Sequence, residues 1–178
     1  MESKMKLVAM GEGFNHPCLR FWHPNARGTG CAMAMKLCPA DTVQDGFIVV
    51  SFANQMTVGN PNGDNPTFPK FDWDNRVDVV LGFNDLCAIL QVLRGETESV
   101  GNGRGIFHKD EECCQTIKLS HIVEPVCGYS FDVFEFHPKG GEEKRAHMLL
   151  SPAESLGICE SIAGSMYLIA FGSPHATA

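Results

Sequence analysis

The stretch from Phe68 to Gly95 constrains the fold more than any other part of this chain. It reads FPKFDWDNRVDVVLGFNDLCAILQVLRG, and its segment Arg76–Leu81 has the β-branched composition of a strand. After Gly82, apolar side chains recur at the i, i+3, i+4 and i+7 spacing of a helix with one buried face. Those side chains are Leu86, Ile89, Leu90 and Leu93. A strand that leads directly into such a helix predicts a sheet that the helix covers.

The same strand–helix unit recurs near the end of the chain. Arg145–Leu150 is predicted to be a strand, and the helix after it begins at Pro152 and continues to about Phe171. Ser151 is a favourable N-cap residue, and Glu154 completes a capping box with it. The second half of this helix is apolar around most of its circumference, so we expect it to pack on another copy of the chain; the alternative is a helix buried deeply within the monomer.

Superposing the two units gives an internal repeat. The matched positions are Leu81 with Leu150, Asp85 with Glu154, and Ile89 with Ile158. We therefore predict one domain over residues 17–172, with halves at about 17–95 and 104–172. We expect residues 1–16 to form a loosely held arm and residues 173–178 to form a tail.

Short segments with alternating apolar and polar residues supply the remaining strands. They are residues 17–23, 31–38, 47–52, 105–109, 114–123 and 129–136. The apolar parity of the last segment switches between Val133 and Phe134, which predicts either a β-bulge or a strand with apolar surroundings on both faces. Residues 57–69 are dense in Asn, Gly and Pro and predict a long loop.

Composition limits the classes of function. The 178 residues carry a formal net charge of −7, which argues against a purely electrostatic nucleic-acid binder. No apolar run reaches transmembrane length and the N-terminus lacks the pattern of a signal peptide, so we expect a cytoplasmic protein without membrane contact. The eight cysteines show no zinc-knuckle spacing, which favours reduced thiols, with Cys113 and Cys114 as the pair best placed to be reactive.

Motifs of catalysis are missing from the sequence. It contains no HExxH pair, no GxSxG elbow and no Walker loop. We therefore predict neither an enzyme nor a bound cofactor or metal. What remains is a set of aromatic and basic residues on predicted strands, the pairing that holds single-stranded nucleic acid by stacking and charge neutralisation. The alternative is that these aromatic residues are core and the charges mark the solvent side of strands.

Three stretches resemble the Whirly family, part of the wider superfamily of single-stranded-DNA-binding transcriptional regulators. They read DGFIVVSFANQM, KFDWDNRVDVVLGFNDLCAIL and GIFHK. The matched positions include Gly46-Phe47, Phe71-Asp72-Trp73, Val77–Leu81, Asp85–Leu90 and Ile106–Lys109. With the later strands and helix in the same order, the similarity spans Gly30 to Gly172.

This resemblance implies an α+β fold of two β-β-β-β-α repeats, with antiparallel sheets packed with helices. It implies single-stranded DNA as the partner, with RNA left open, and bases entering apolar and aromatic niches at the sheet edges. It also implies homo-oligomers, dimers or tetramers, formed through the C-terminal helix. The family's basic strand aligns with Gly30–Met35, which has no lysine, and Lys36 is the nearest cation.

The resemblance leads to nine expected contact residues. Lys36, Lys70, Lys109 and Lys118 are expected to contact the backbone, and Met33, Met35, Phe47, Trp73 and Phe107 to contact the bases. Trp73 has an equal claim to a structural role as a plug in its turn, and Phe47 and Met35 to a place in the core. The leading prediction is a non-catalytic binder of single-stranded nucleic acid in transcription regulation or DNA maintenance. The alternative is a protein–protein scaffold that kept the fold and lost the basic groove.

Overall fold

Two antiparallel β-sheets and two helices make up the described part of the chain. The computed structural model describes residues 18–172 except 61, 63, 64 and 125. The predicted arm at 1–16 and the predicted tail at 173–178 lie outside these residues.

The first sheet comes from the first half of the chain. Its strands are β1 (Leu19–His23), β2 (Cys31–Cys38), β3 (Phe47–Thr57), β4 (Lys70–Phe71) and β5 (Val77–Leu81). The central strands run in the order β1-β2-β3. Both β4 and β5 pair with β3, β4 near its end and β5 along its first half.

The second sheet is a meander of four strands from the second half of the chain. They are β6 (Ile106–Lys109), β7 (Cys114–Ile122), β8 (Gly128–Phe136) and β9 (Lys144–Leu150). Each strand pairs antiparallel with the next.

Each sheet is followed by a helix in which an acid at the third helical position accepts a hydrogen bond from the N-cap backbone, and in the second of these helices the Ser151 hydroxyl completes a capping box. Helix α1 (Phe83–Leu93) follows β5, and helix α2 (Pro152–Phe171) follows β9. Asp85 accepts a hydrogen bond from the Gly82 backbone N–H at 3.0 Å, and Glu154 accepts one from the Ser151 N–H at 2.9 Å. Because both acids stand at the third helical position, the internal repeat predicted from the sequence is confirmed at both helix starts.

The inward faces of the sheets and one side of each helix form a shared core. Ile89 and Ile158, the matched helix positions, are both 1% exposed. Phe52 of the first sheet and Phe131 of the second meet edge-to-face, with ring centroids 5.1 Å apart. This shared core shows that the two halves pack as one unit.

Two histidines connect each half to the helix of the other half. His23 in β1 lies 2.7 Å from the Glu154 carboxylate at the start of α2. His108 in β6 lies 3.1 Å from the Asp85 carboxylate at the start of α1. The two histidines occupy equivalent positions of the repeat. Each lies on the first strand of its sheet, at the matching point of that strand's pairing with the next strand. Each half therefore contacts the helix of the other half through one histidine.

Strand boundaries mostly follow the sequence, with one clear difference. Strand β3 continues to Thr57 instead of ending at Phe52, because the side chain of Gln55 is used within the structure. Its Oε1 accepts hydrogen bonds from the backbone N–H groups of Asn25 and Gly30, at 2.9 Å and 3.1 Å. These bonds satisfy the β1–β2 turn and keep the strand paired past its polar residues.

The parity switch in β8 reflects two apolar faces. Pairing of β8 with β7 and β9 runs without a register shift, so the bulge interpretation is wrong. Phe131 and Val133 point into the core, whereas Phe134 and Phe136 stand on the opposite face with Asp132. That opposite, outward face is where the candidate site lies.

Among the described residues, none of the helices has the length and apolar character needed to cross a membrane.

Candidate nucleic-acid interface

A row of paired residues crosses the outward face of the second sheet from edge to edge. Phe107 of β6 pairs with Thr116 of β7, Thr116 with Phe134 of β8, and Phe134 with Arg145 of β9. Side chains on directly opposed positions lie about 4.5–5.5 Å apart at their Cβ atoms. The sheet therefore presents an aromatic–polar–aromatic–cationic line.

The two ends of this row differ. The Arg145 guanidinium carbon lies 4.8 Å from the centre of the Phe134 ring, a cation–π contact. Phe107 at the other edge is 62% exposed. One ring is thus held by a cation, and the other is open to stack on a partner.

The adjacent row is polar and has a charge of each sign. It runs from Lys118 in β7 through Asp132 in β8 to His147 in β9. Asp132 is engaged on both oxygens, with His147 Nδ1 at 2.6 Å and the Ser130 hydroxyl, which donates, at 2.6 Å. Asp132 is thus paired with its neighbours, and the exposed side chain of Lys118 lines the groove, where it can meet an incoming anion.

Both rows except Phe107, which stands at the sheet edge beside it, line a groove of about 700 Å³. Its other wall comes from Thr29 and Asn54 at the end of the first sheet. The Asn54 side-chain amide donates to the Arg145 carbonyl at 2.9 Å and so fixes this wall against β9. The result is a trough whose floor is the outward face of the second sheet.

The outward face of the first sheet is built differently. Trp22 lies 5.4 Å from the Phe71 ring and 5.7 Å from the Trp73 ring, in both cases edge-on. Arg76 donates to the Trp73 carbonyl at 2.9 Å and pairs with Asp78 at 2.9 Å. On this face Ala32, Ala34 and Ala53 are all at most 3% exposed, so small side chains make a covered floor. The aromatic residues here contact one another.

Seven of the nine expected contact residues lie in three places on the two sheets or at their edges. Phe107, Lys109 and Lys118 lie on the outward face of the second sheet. Lys36 and Phe47 lie on the outward face of the first sheet, where Lys36 pairs with Val49. Lys70 and Trp73 lie at the edge of that sheet, in β4 and the turn after it. The structure therefore brings Phe107, Lys109 and Lys118 to one face and leaves the other residues elsewhere.

Met33 and Met35 lie in the core. Their exposed fractions are 0% and 6%, and both belong to the apolar cluster with Phe52. Their face of β2 also carries Cys31 and Leu37, so every side chain on it is apolar and turns inward. In the single chain neither methionine is accessible to a base, and the core alternative describes Met35 correctly.

Sequence reasoning missed Phe134 and Arg145. The parity switch in YSFDVFEF was the available signal, because it places Phe134 and Phe136 on the face opposite Phe131. Arg145 gave no such signal, because only the register of β8 with β9 places it beside Phe134.

Comparison with solved structures identifies the architecture. WHY3 from Arabidopsis thaliana superposes with a TM-score of 0.67 at 12% identity, over 93% of this chain and 95% of that chain. WHY1 from the same plant gives a TM-score of 0.66 at 13% identity, over 87% and 85%. The fold is Whirly-like. The α+β repeat predicted from the sequence is thereby confirmed.

The Whirly-like fold extends to a further kind of protein. A guide-RNA-binding protein complex, solved with its guide RNA, matches with a TM-score of 0.55 at 17% identity, over 88% of this chain and 94% of that chain. No protein-family model matches the sequence, and no curated protein matches it. The likeness thus lies in the Whirly-like arrangement of strands and helices.

Proposed function

We propose that this protein binds single-stranded nucleic acid along the groove on the outward face of the second sheet. The observation that carries the proposal is the row of Phe107, Thr116, Phe134 and Arg145, which joins an exposed ring and a half-buried ring to a cation across four strands. Every nucleotide offers a flat base and a phosphate, and this row offers a partner for each.

Stacking favours an unpaired strand over a duplex. A base can stack on Phe107 or on the free side of Phe134 only if its own face is not already covered by a neighbouring base pair. Lys118 and Arg145 line the same groove and would neutralise phosphates beside the stacked bases. Lys109 extends the cationic edge along β6.

The net charge of −7 is compatible with this proposal because charge is unevenly distributed. Lys118, Arg145 and His147 line the groove, and Asp132, its one acid, is paired with His147. Binding in the groove therefore depends on a few cations, and we expect modest affinity with clear salt dependence.

The relatives in structure support the class of ligand. One of them is described as a guide-RNA-binding complex bound to its RNA. We propose single-stranded DNA as the first ligand to test and RNA as the second, in a non-catalytic role in transcription regulation or DNA maintenance. Lys36, Lys70, Phe47 and Trp73 stay predictions for a second contact region on the first sheet.

We also propose that the chain self-associates through α2. One side of this helix carries Leu156, Glu160, Gly164, Tyr167 and Phe171 at helical spacing. Leu156, Tyr167 and Phe171 are 62%, 61% and 77% exposed. Large apolar side chains along a single stripe are the usual mark of a helix that meets another helix.

The test of nucleic-acid binding is fluorescence anisotropy of a labelled mixed-sequence 30-mer. The protein is titrated against single-stranded DNA, the same sequence as RNA, and the duplex, each at low and moderate salt. We expect single-strand binding that weakens as salt rises and exceeds duplex binding. If no strand binds even at low salt, the proposal is wrong and the scaffold alternative becomes the one to pursue.

A further inference from the structure

Three metal-binding side chains meet at one end of the second sheet, on the side opposite the groove floor. They are Cys113, just before β7, with Glu135 and His137 at the end of β8, and their ligand atoms all lie within 4.8 Å of one another. Cys113 is opposite His137 in the extended register of β7 and β8, and Glu135 is two residues from His137. Adjacent antiparallel strands therefore hold all three donors on one face.

The imidazole of His137 is oriented as in a metal ligand. Its Nδ1 lies 3.1 Å from the Glu112 carbonyl, which can only accept, so Nδ1 carries the proton. Nε2 then points at the Glu135 carboxylate at 3.2 Å. At this separation a single metal ion can contact both Nε2 and the Glu135 carboxylate. A backbone carbonyl on the remote nitrogen is the usual support of a metal-bound histidine.

Glu135 is held in place by a neighbour. It is 8% exposed, and its Oε2 accepts a hydrogen bond from Gln115 Nε2 at 2.7 Å. Gln115 Nε2 also donates to the Asp78 carbonyl at 2.9 Å, which ties the carboxylate to the first sheet. A buried carboxylate is costly without a cation, and here its geometry is already fixed.

We infer that Cys113, Glu135 and His137 form a zinc site. Thiolate, carboxylate and imidazole together suit Zn²⁺, and one thiolate with one carboxylate balances its charge. Tetrahedral zinc with ordinary bond lengths holds its N and O ligands about 3.3 Å apart, close to the 3.2 Å between His137 and Glu135. The His137 side chain is 32% exposed, so water reaches the cluster and completes the coordination.

The internal repeat supplies a comparison within the chain. The positions of the first half that match Cys113, Glu135 and His137 are Thr29, Asn54 and Met56. Asn54 and Thr29 line the groove instead, so the fold itself does not require the donor set. The site would fasten the ends of β7 and β8 directly behind Phe134 and Phe136.

Without metal, Cys113 is a poor nucleophile. Burial, followed by the nearby charges of Glu135 and Asp110, raises the pKa of the Cys113 thiol to about 11. The expectation that Cys113 is reactive therefore does not fit its surroundings. Zinc would replace the thiol proton, which makes metal uptake release acid.

The test uses untagged full-length protein stripped with EDTA and titrated with Zn²⁺ and, as a spectroscopic probe, Co²⁺. We expect one metal per chain, a thiolate-to-cobalt charge-transfer band, and a higher melting temperature with zinc. Cys113→Ser, Glu135→Gln and His137→Asn should each weaken zinc binding by about 100-fold or more. Cys114→Ser is the matched control, because Cys114 is adjacent but faces outward opposite Phe136.

The metal titration of the variants either supports or overturns the site. Stoichiometric uptake that Cys113→Ser abolishes and Cys114→Ser keeps supports the site. No stoichiometric uptake, or uptake that survives Cys113→Ser, overturns it. Should Glu135→Gln fail to fold, the near-isosteric Cys113→Ser still decides the question. Nucleic-acid binding is measured separately, so the two proposals can fail independently.

Discussion

Trp22 and Phe107 occupy equivalent positions in the two halves of the fold but have different surroundings. Each stands on an outward face, one residue before the histidine that reaches the opposite helix. Trp22 packs edge-on against Phe71 and Trp73. Phe107 is 62% exposed at the end of a row with a cation at its far side. Trp22 is itself 49% exposed, so its ring contacts with Phe71 and Trp73, rather than burial, make Phe107 the better candidate for stacking.

Replacing Phe107 with alanine should weaken single-strand binding by about 5- to 150-fold, because one base–aromatic stack contributes about 1–3 kcal/mol. The measurement is anisotropy with the 30-mer at low salt. Phe83→Ala serves as the control, since this phenylalanine is 45% exposed at the start of α1. Equal affinity for the Phe107 variant and the wild type would show that bases do not stack there.

Replacing Lys118 with glutamine should reduce the slope of log K against log salt by about 0.7, the value for one phosphate contact on a single strand. Affinity should fall for all sequences alike, because a phosphate contact reads no base. Arg94→Gln removes the same charge at the end of α1, and Arg94 is not one of the residues that line the groove. If both variants change the slope equally, Lys118 acts only through the net charge.

At the scale of elements, the helix starts are where sequence and structure agree most closely. Ser151, Pro152 and Glu154 give a helix start by local chemistry alone, and α2 has the bounds predicted for it. Strand β2 also agrees over Cys31–Cys38. Local periodicity and capping need no information about distant residues, which explains the agreement.

Positions that depend on register between distant strands could not be predicted. Phe134 and Arg145 become neighbours only through the pairing of β8 with β9. Likewise, no spacing rule brings Cys113 to Glu135 and His137, because they belong to different strands. For Met33 and Met35 the residue type suggested a niche for bases, and tertiary packing placed both in the core.

Glu154 connects a helix start to a distant strand and should affect stability with pH. Burial raises its pKa, but hydrogen bonds from His23 and Ser151 lower it more, so the pKa lies below its usual 4.5. A depressed carboxyl pKa stabilises the fold above the unfolded-state value, and that stability is lost as pH falls through the folded-state value. The wild type should therefore lose stability below about pH 4.5.

Glu154→Gln should remove this loss of stability at acid pH. At neutral pH it should lower the free energy of unfolding by about 1 kcal/mol, as the loss of a helix cap does. Urea unfolding at neutral and acid pH measures both effects. Glu160→Gln, on the exposed side of the same helix, should match the wild type at each pH. If the Glu154 variant loses as much stability at acid pH as the wild type, the contact with His23 contributes nothing to folding.

At the scale of the whole molecule, the exposed side of α2 is the surface through which we propose that the chain self-associates. Gly157 and Gly164 lie at exposed positions within this helix, and a Cβ added at either would meet nothing within 4 Å. In a single chain, Gly→Ala at both should stabilise the helix by about 1–2 kcal/mol in total. At a helix–helix contact the added methyl groups would instead keep the partner away.

We therefore expect the Gly157→Ala, Gly164→Ala double variant to raise the protein concentration at which oligomers form. Sedimentation velocity over a dilution series measures it. Gln91→Ala, on the exposed side of α1, should leave assembly unchanged. Oligomers that are unaffected by the double variant would place the interface away from this stripe.

The reciprocal histidines have a consequence for how the chain is connected. His23 contacts the helix of the second half and His108 contacts the helix of the first. The two halves are therefore held together by the same kind of contact in both directions, as in a domain-swapped dimer. A cut between Glu96 and Thr97, at the exposed link after α1, would break one peptide bond and no contact within the core. Residues 1–96 and 97–178, expressed together, should find each other and co-purify, while each alone stays unfolded. The covalent link then only raises the effective concentration of the two halves for each other. The reciprocal contacts themselves hold the halves together.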